Sequence, residues 1–275
     1  MFRQVFHPTD FSTVSQVAFA HALRTALAAK GTLTVLHVAP EGSKGGVDSG
    51  FPHIRRTLAA WKLVSPSCRP EEVAALGVIV KKLGIESDDP SEAIAGYLSG
   101  RQMDLLVLAT HQRAGLGALA HPPVAQPVMR ATQRPSLFIP PRSDGFIRYG
   151  DGVSSLRRIL VPVTADPEPQ AAVDAAVSLG QLLATDEVEL TLLHVGDERD
   201  MPKVHEPRVP GWRCDRVAVG GSVVSSVLAP AQAGHTDLIV MRTRGPKGFL
   251  GALRGSTASQ IIRAAPCPVL AIPCG

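Results

Sequence analysis

Five basic residues, Arg242, Arg244, Lys247, Arg254 and Arg263, surround the run Gly255-Ser256-Thr257. Glycine lets backbone amides approach a phosphate oxygen closely, and a Gly-Ser pair at a helix start offers amide donors that no helical carbonyl has claimed. Guanidinium groups add a planar fork that matches phosphate. The chemistry such a set could perform is anion binding. The same residues also make a solvated basic face beside a helix capped by Ser256, and the sequence leaves both readings open. At the other end of the chain, Asp10 could contact a ribose-like hydroxyl or cap a helix beginning near Ser12. His7, His111 and His121 have no short spacing of the kind a metal site needs, and read as polar loop residues. Asp104 and Asp237 read as turn caps. No Gly-x-Ser-x-Gly elbow, His-Glu-x-x-His pair or complete lysine-bearing phosphate loop occurs, so nucleophilic catalysis has little support in the sequence.

The elements that must position these groups occur twice. Met103 to Thr110 matches Thr236 to Thr243 at an offset of 133, Leu33 to Val38 matches Leu190 to Val195 at 157, and His7-Pro8 matches Val161-Pro162 at 154. Landmarks in one order at a long period mean a duplicated domain. His37 and His194 fall at equivalent points in the second strand of each copy, which predicts a shared packing role. A chain of 275 residues with 45% hydrophobic and 19% charged residues suits two globular domains, and aromatics at 4% leave the cores to Val, Leu, Ile and Ala. The net charge of +4 is spread through both halves and no nucleic-acid-binding signature appears. No apolar run spans a bilayer, and the four cysteines show neither metal spacing nor a disulfide framework, which suits a reducing cytoplasm.

Strand and helix patterns alternate, which predicts parallel, doubly wound sheets with ligands beyond the carboxyl ends of the strands. In the first copy strands are expected at 2–7, 33–38, 76–82, 105–109 and 136–139. Helices are expected at 13–29, closed by Lys30-Gly31, then at 53–64 and 90–98, with a short one before the last strand. In the second, strands at 158–163, 188–195, 214–219, 238–241 and 269–272 alternate with helices at 169–184, 222–233 and 256–265. Pro202, Pro207 and Pro210 remove helix donors where the counterpart of the 53–64 helix would lie, so a loop is expected there. The expected domains are 1–141 and 156–275, with Pro140 to Ser155 as linker.

His7-Pro8-Thr9-Asp10-Phe11-Ser12 resembles the first-strand exit of the universal stress protein family, and Arg242 to Pro268 resembles its nucleotide loop, helix and last strand. The resemblance covers nearly the whole chain as two copies, so the chain is similar to a tandem member. It implies two five-stranded parallel sheets in the order 3-2-1-4-5, domain pairing through edge strands, and ATP as cofactor, since a subset of the family binds it. Binding members carry Gly, two residues, Gly, nine residues, then Gly with Ser or Thr. The second half matches at Gly245, Gly255, Ser256 and Thr257, with Arg242 at the first glycine position. The first half has Ala109, Gln112, Pro122 and Pro123 at those positions, and its two prolines lack amide donors. The family's nucleoside-contacting Asp is matched by Asp10 in the first half and replaced by Thr164 in the second, with Asp166 two residues on.

The resemblance therefore implies a cytoplasmic, non-catalytic stress-response regulator or scaffold. The two domains pair within the chain and leave room for a further homodimer. ATP or phosphate would sit in the second half, at Gly245, Gly255, Ser256, Thr257, Arg242 and Thr164, with Asp10 as the first half's remnant. No metal, membrane or nucleic acid is called for. Two alternatives stay open: an ATP-hydrolysing or nucleotidyl-transferring enzyme, and an interaction-only protein that has lost its nucleotide.

Overall fold

The computed structural model describes residues 2–42, 50–110, 124–184, 187–244 and 256–274, without the side chains of Gln126 and Arg130. The first half runs β1 (Gln4–Pro8), α1 (Thr13–Ala28), β2 (Thr32–Ala39), α2 (Ile54–Ala60), α3 (Pro70–Ala75), β3 (Ile79–Glu86), α4 (Pro90–Leu98), β4 (Leu105–Ala109), α5 (Ala125–Thr132) and β5 (Ser136–Ile139). The second runs β6 (Arg158–Pro162), α6 (Gln170–Leu183), β7 (Val188–Val195), β8 (Trp212–Val219), α7 (Val223–Gln232), β9 (Leu238–Thr243), α8 (Thr257–Ala264) and β10 (Val269–Pro273). Between β7 and β8 the chain makes only a single 3-10 turn at Glu198–Asp200.

Each half is a parallel sheet in the order 3-2-1-4-5. The two join through β5 and β10, which pair antiparallel, into one ten-stranded sheet ordered β3-β2-β1-β4-β5-β10-β9-β6-β7-β8. The order reads the same from either end, as a pseudo-two-fold axis between β5 and β10 requires. Strands nearest that axis are buried along nearly their whole length, whereas β3 and β8 at the edges alternate between half-buried and exposed. Continuous apolar runs are what a parallel sheet covered on both faces needs.

Two cores result, one per face, and each is shared by both halves. On one face α1 and α6 meet Val5, Val35, Val107, Val161, Leu192 and Val240. On the other, α4, α5, α7 and α8 cover Phe6, Leu36, Leu108, Leu160, Leu193 and Met241. The period-2 alternation of strand side chains sorts these residues between the faces.

Several local expectations need correction. The helix expected at 53–64 ends at Ala60, and Lys62 takes a positive φ of 57° just beyond it. α3 is an addition. It buries none of its residues, so it carries no apolar period to read, and it starts with Pro70 while Glu72 accepts from the Arg69 amide. β3 lies three residues later than expected, because Lys81 and Lys82 interrupt the apolar run on an exposed edge strand. At the end of α1 the left-handed residue is Lys30 (φ 47°), not Gly31. Gly31 is needed for another reason: a Cβ there would strike the Arg3 carbonyl.

The segment between the halves is not a loose linker. Phe146, Ile147 and Leu156 are buried in the core shared with α1 and α6, and Ile147 pairs with Ser154 across a short antiparallel bridge. His21 of α1 accepts the Phe146 and Ile147 amides through Nε2 at 3.0 and 3.1 Å, and the Trp61 indole donates to the Tyr149 carbonyl at 2.8 Å. With Nε2 an acceptor, His21 donates from Nδ1 to the Val17 carbonyl at 2.8 Å. Burial pushes its pKa from 6.5 down to about 4.

Candidate functional site

The strand order reverses between β1 and β4 and again between β6 and β9, so the crevices to inspect lie at the carboxyl ends of those pairs. A pair of aspartates anchors the opposite ends. Asp104 accepts the Arg3 and Gln4 amides at 2.7 and 2.9 Å, and Asp237 accepts the Arg157 and Arg158 amides at 3.0 and 2.8 Å. These residues tie the first strand to the fourth instead of capping turns. Near the carboxyl ends, His37 and His194 donate from Nδ1 to the carbonyls of Thr9 and Val163 at 2.8 and 3.1 Å. The shared role read from their position is thus a latch on the segment leaving the first strand of each half.

Beyond those shared latches the two exits differ. In the first half His7 is fully buried, and its Nδ1 lies 2.9 Å from the Val107 carbonyl, which can only accept. Nε2 of the neutral ring is then an acceptor, so Ser15 donates to it at 3.4 Å, Thr9 donates to Ser15 at 2.9 Å, and the Phe11 amide donates to Thr9 at 3.1 Å. Burial holds the His7 pKa at about 4. This one-directional chain of donors fixes the β1 exit. Phe11 sits there at a φ of 62° and stacks on His37 with ring centroids 4.1 Å apart, while Phe51 meets Phe11 edge-on at 5.5 Å. Asp10 is exposed and accepts the Ser12 amide at 3.0 Å, and Ser12 in turn caps α1 by accepting the Ser15 amide. The expected cap by Asp10 needs correction: Ser12 itself caps α1, and Asp10 braces the turn that leads into it. His111, Gln112, His121, Pro122 and Pro123 lie outside the described residues.

In the second half Val161 and Val163 replace His7 and Thr9, and no aromatic ring stacks on His194 among the described residues. Thr164 is exposed at the exit of β6. Arg244, just past β9, reaches across the crevice to Asp166 at 2.9 Å, with both side chains largely exposed. Arg242 turns toward the neighbouring strand, donating from Nη1 to the Pro273 carbonyl at 2.7 Å. Its Nε and the Thr243 hydroxyl are buried without a hydrogen-bond partner among the described residues. The equivalent Thr110 hydroxyl of the first half donates to the Ile139 carbonyl at 3.1 Å. Buried polar groups are nearly always satisfied, so two orphans on consecutive residues single out this strand end.

Ser256 caps α8: its hydroxyl accepts the Ser259 amide at 3.2 Å and donates to the Ser259 hydroxyl at 2.9 Å. Thr257 is the exposed first residue of that helix. Gly245, Lys247, Arg254 and Gly255 lie outside the described residues. The structure thus brings Arg244 to the β6 exit that carries Thr164, and shows Ser256 and Thr257 at a capped helix start. Sequence reasoning missed two arrangements, the Asp166–Arg244 bridge and the stack of Phe11 on His37. The doubled histidine was a signal for the second, since a repeated polar residue inside an apolar strand must bond to something nearby.

Among the described residues no group of three His, Cys, Asp or Glu side chains converges, and no helix is long and apolar enough to cross a membrane. The model of the Universal stress protein family matches residues 1–140, 155–213 and 210–273. A universal stress protein from Archaeoglobus fulgidus DSM 4304 shares the fold over 100% of both chains, at 18% identity and a TM-score of 0.63. A functionally unknown protein from Pseudomonas aeruginosa PAO1 matches 99% of this chain and 92% of its own, at 14% identity and 0.64. A putative universal stress protein from Pseudomonas aeruginosa UCBPP-PA14 covers 99% and 93%, at 14% and 0.61. A search of the curated proteins finds no match.

Proposed function

The chain belongs to the universal stress protein family, and from that premise we propose that it is a non-catalytic stress-response protein whose second half binds ATP. The first half serves as the structural partner that completes the sheet. The observation that carries this reading is the asymmetry of the two strand exits. One has Phe11 at the β1 exit, stacked on His37 of β2 and meeting Phe51 edge-on. The other has Arg244 bridged to Asp166 between the exits of β9 and β6, with two orphaned polar atoms on Arg242 and Thr243 at the end of β9; Ser256 caps the next helix. Amides at the first turn of a helix and nearby guanidinium groups are the donors a phosphate oxygen uses. A non-catalytic role is supported by the pairing of Asp166 with Arg244 and of Glu168 with the Gln170 amide, which leaves no cluster of carboxylates to hold a metal among the described residues.

The interaction-only alternative also has an observation in its favour, since both arginines already hold protein acceptors. Calorimetric titration of the full chain with ATP separates the two. Arg244→Gln removes a charge-assisted bond and is expected to weaken binding by about tenfold or more. Asp10→Asn in the first half is expected to leave the Kd within about twofold, because its carboxylate serves a local turn. Loss of binding in Asp10→Asn with none in Arg244→Gln would place the ligand in the wrong half. A parent protein that binds no ATP would leave the interaction-only reading.

A further inference from the structure

Recognition of a nucleoside needs a group that reads the sugar or base, and a carboxylate accepting ribose hydroxyls is a strong one. The second half has two carboxylates on the segment leaving β6, Asp166 and Glu168. Each holds a protein donor on one oxygen: Asp166 accepts from Arg244 Nη2 at 2.9 Å, and Glu168 accepts the Gln170 amide at 2.8 Å. Thr164 stands where the first half has Asp10. The cationic side is supplied by Arg244 at the crevice, while Arg242 is turned toward β10 by its bond to the Pro273 carbonyl. A cationic donor to phosphate is therefore present, while a hydroxyl and not a carboxylate stands at the position equivalent to Asp10, and each nearby carboxylate already holds a protein donor.

Resting on the ATP-binding reading above, we propose that this site grips the phosphate chain of its ligand and not the nucleoside, with Asp166 as an internal counter-ion that a phosphate displaces from Arg244. The pair bridges the exits of β6 and β9, so it lies across the mouth at the point where the strand order reverses. Its side chains are 62% and 79% exposed, and exposed ion pairs hold weakly. A multiply charged phosphate chain offers Arg244 more acceptor oxygens than one carboxylate does, and in a bidentate arrangement. The ligand class is a linear polyphosphate or its esters. Binding is correspondingly salt-sensitive, because the exchange takes place at an exposed charge.

The test titrates the full chain, parent and Asp166→Asn, with inorganic tripolyphosphate, ATP and adenosine by calorimetry. Tripolyphosphate and ATP are expected to bind the parent with Kd values within about threefold of each other, and adenosine not at all. Asp166→Asn removes the competitor and is expected to tighten both phosphate ligands by about three- to tenfold. ATP binding more than about tenfold tighter than tripolyphosphate, or adenosine binding by itself, would overturn the inference while leaving ATP binding intact. Weaker or unchanged binding in Asp166→Asn would also overturn it, by removing Asp166 as competitor. If neither tripolyphosphate nor ATP binds either protein, the ATP-binding reading fails and the inference with it.

Discussion

At the scale of single residues, the chain invests buried polar groups in holding segments that carry no regular structure. His7 fixes the β1 exit through Ser15 and Thr9, and His21 holds the connector at Phe146 and Ile147. Both rings are neutral, with Nδ1 protonated, and burial lowers both pKa values from 6.5 to about 4. The sign of the pH dependence follows. Between pH 6.5 and about 4 the unfolded chain takes up protons on these histidines that the folded chain refuses, so stability is full above 6.5 and falls as the pH drops toward 4. Each ring contributes on the order of 3 kcal/mol across that window. Imidazole chemical shifts followed by NMR are expected to place both midpoints near 4, and midpoints near 6.5 would show that the rings are solvated. The geometry of these residues was hidden in the sequence. His7 read as a polar loop residue, but it lies buried in β1 with partners from β4 and α1 that no local pattern announces.

At the scale of elements, the segment joining the halves is a packed bracket. Gly152 has a φ of 68°, and a Cβ added there would strike the Trp61 ring. Gly152→Ala therefore meets both backbone strain and a steric clash, and is expected to cost about 2 kcal/mol or more. Urea unfolding would read the loss, and proteolysis would show cleavage between residues 140 and 156 appearing in the variant first. Unchanged stability would mean that the bracket does not press on Trp61. The sequence read this segment as a linker because its Gly, Ser and charged residues mask the apolar Phe146, Ile147 and Leu156. Strands of the sheet interior were legible as continuous apolar runs. The edge strand β3 and the largely exposed α3 were not, because partial exposure removes the period by which an element is recognised.

At the scale of the whole molecule, duplication was the most legible feature, and the strand order followed from it. What the repeat could not convey is how the copies diverged. Both keep the aspartate tie between first and fourth strands and the histidine latch on the first-strand exit, so the scaffold is symmetric. The mouths above that scaffold are not. Phe11 stacks on His37 beside one, and Arg244 with Asp166 spans the other. Glycine spacing pointed to the second mouth, but the side chains that define it come from loops whose direction a repeat offset does not encode.

That asymmetry is the central claim, and binding stoichiometry tests it most directly. Calorimetric titration of the intact chain with ATP at low ionic strength is expected to give about one site per chain, a heat that falls as salt is raised, and weakening of that site by about tenfold or more in Arg244→Gln. A stoichiometry of two per chain would mean that the first mouth is open despite Phe11, and zero would mean that the second has also closed.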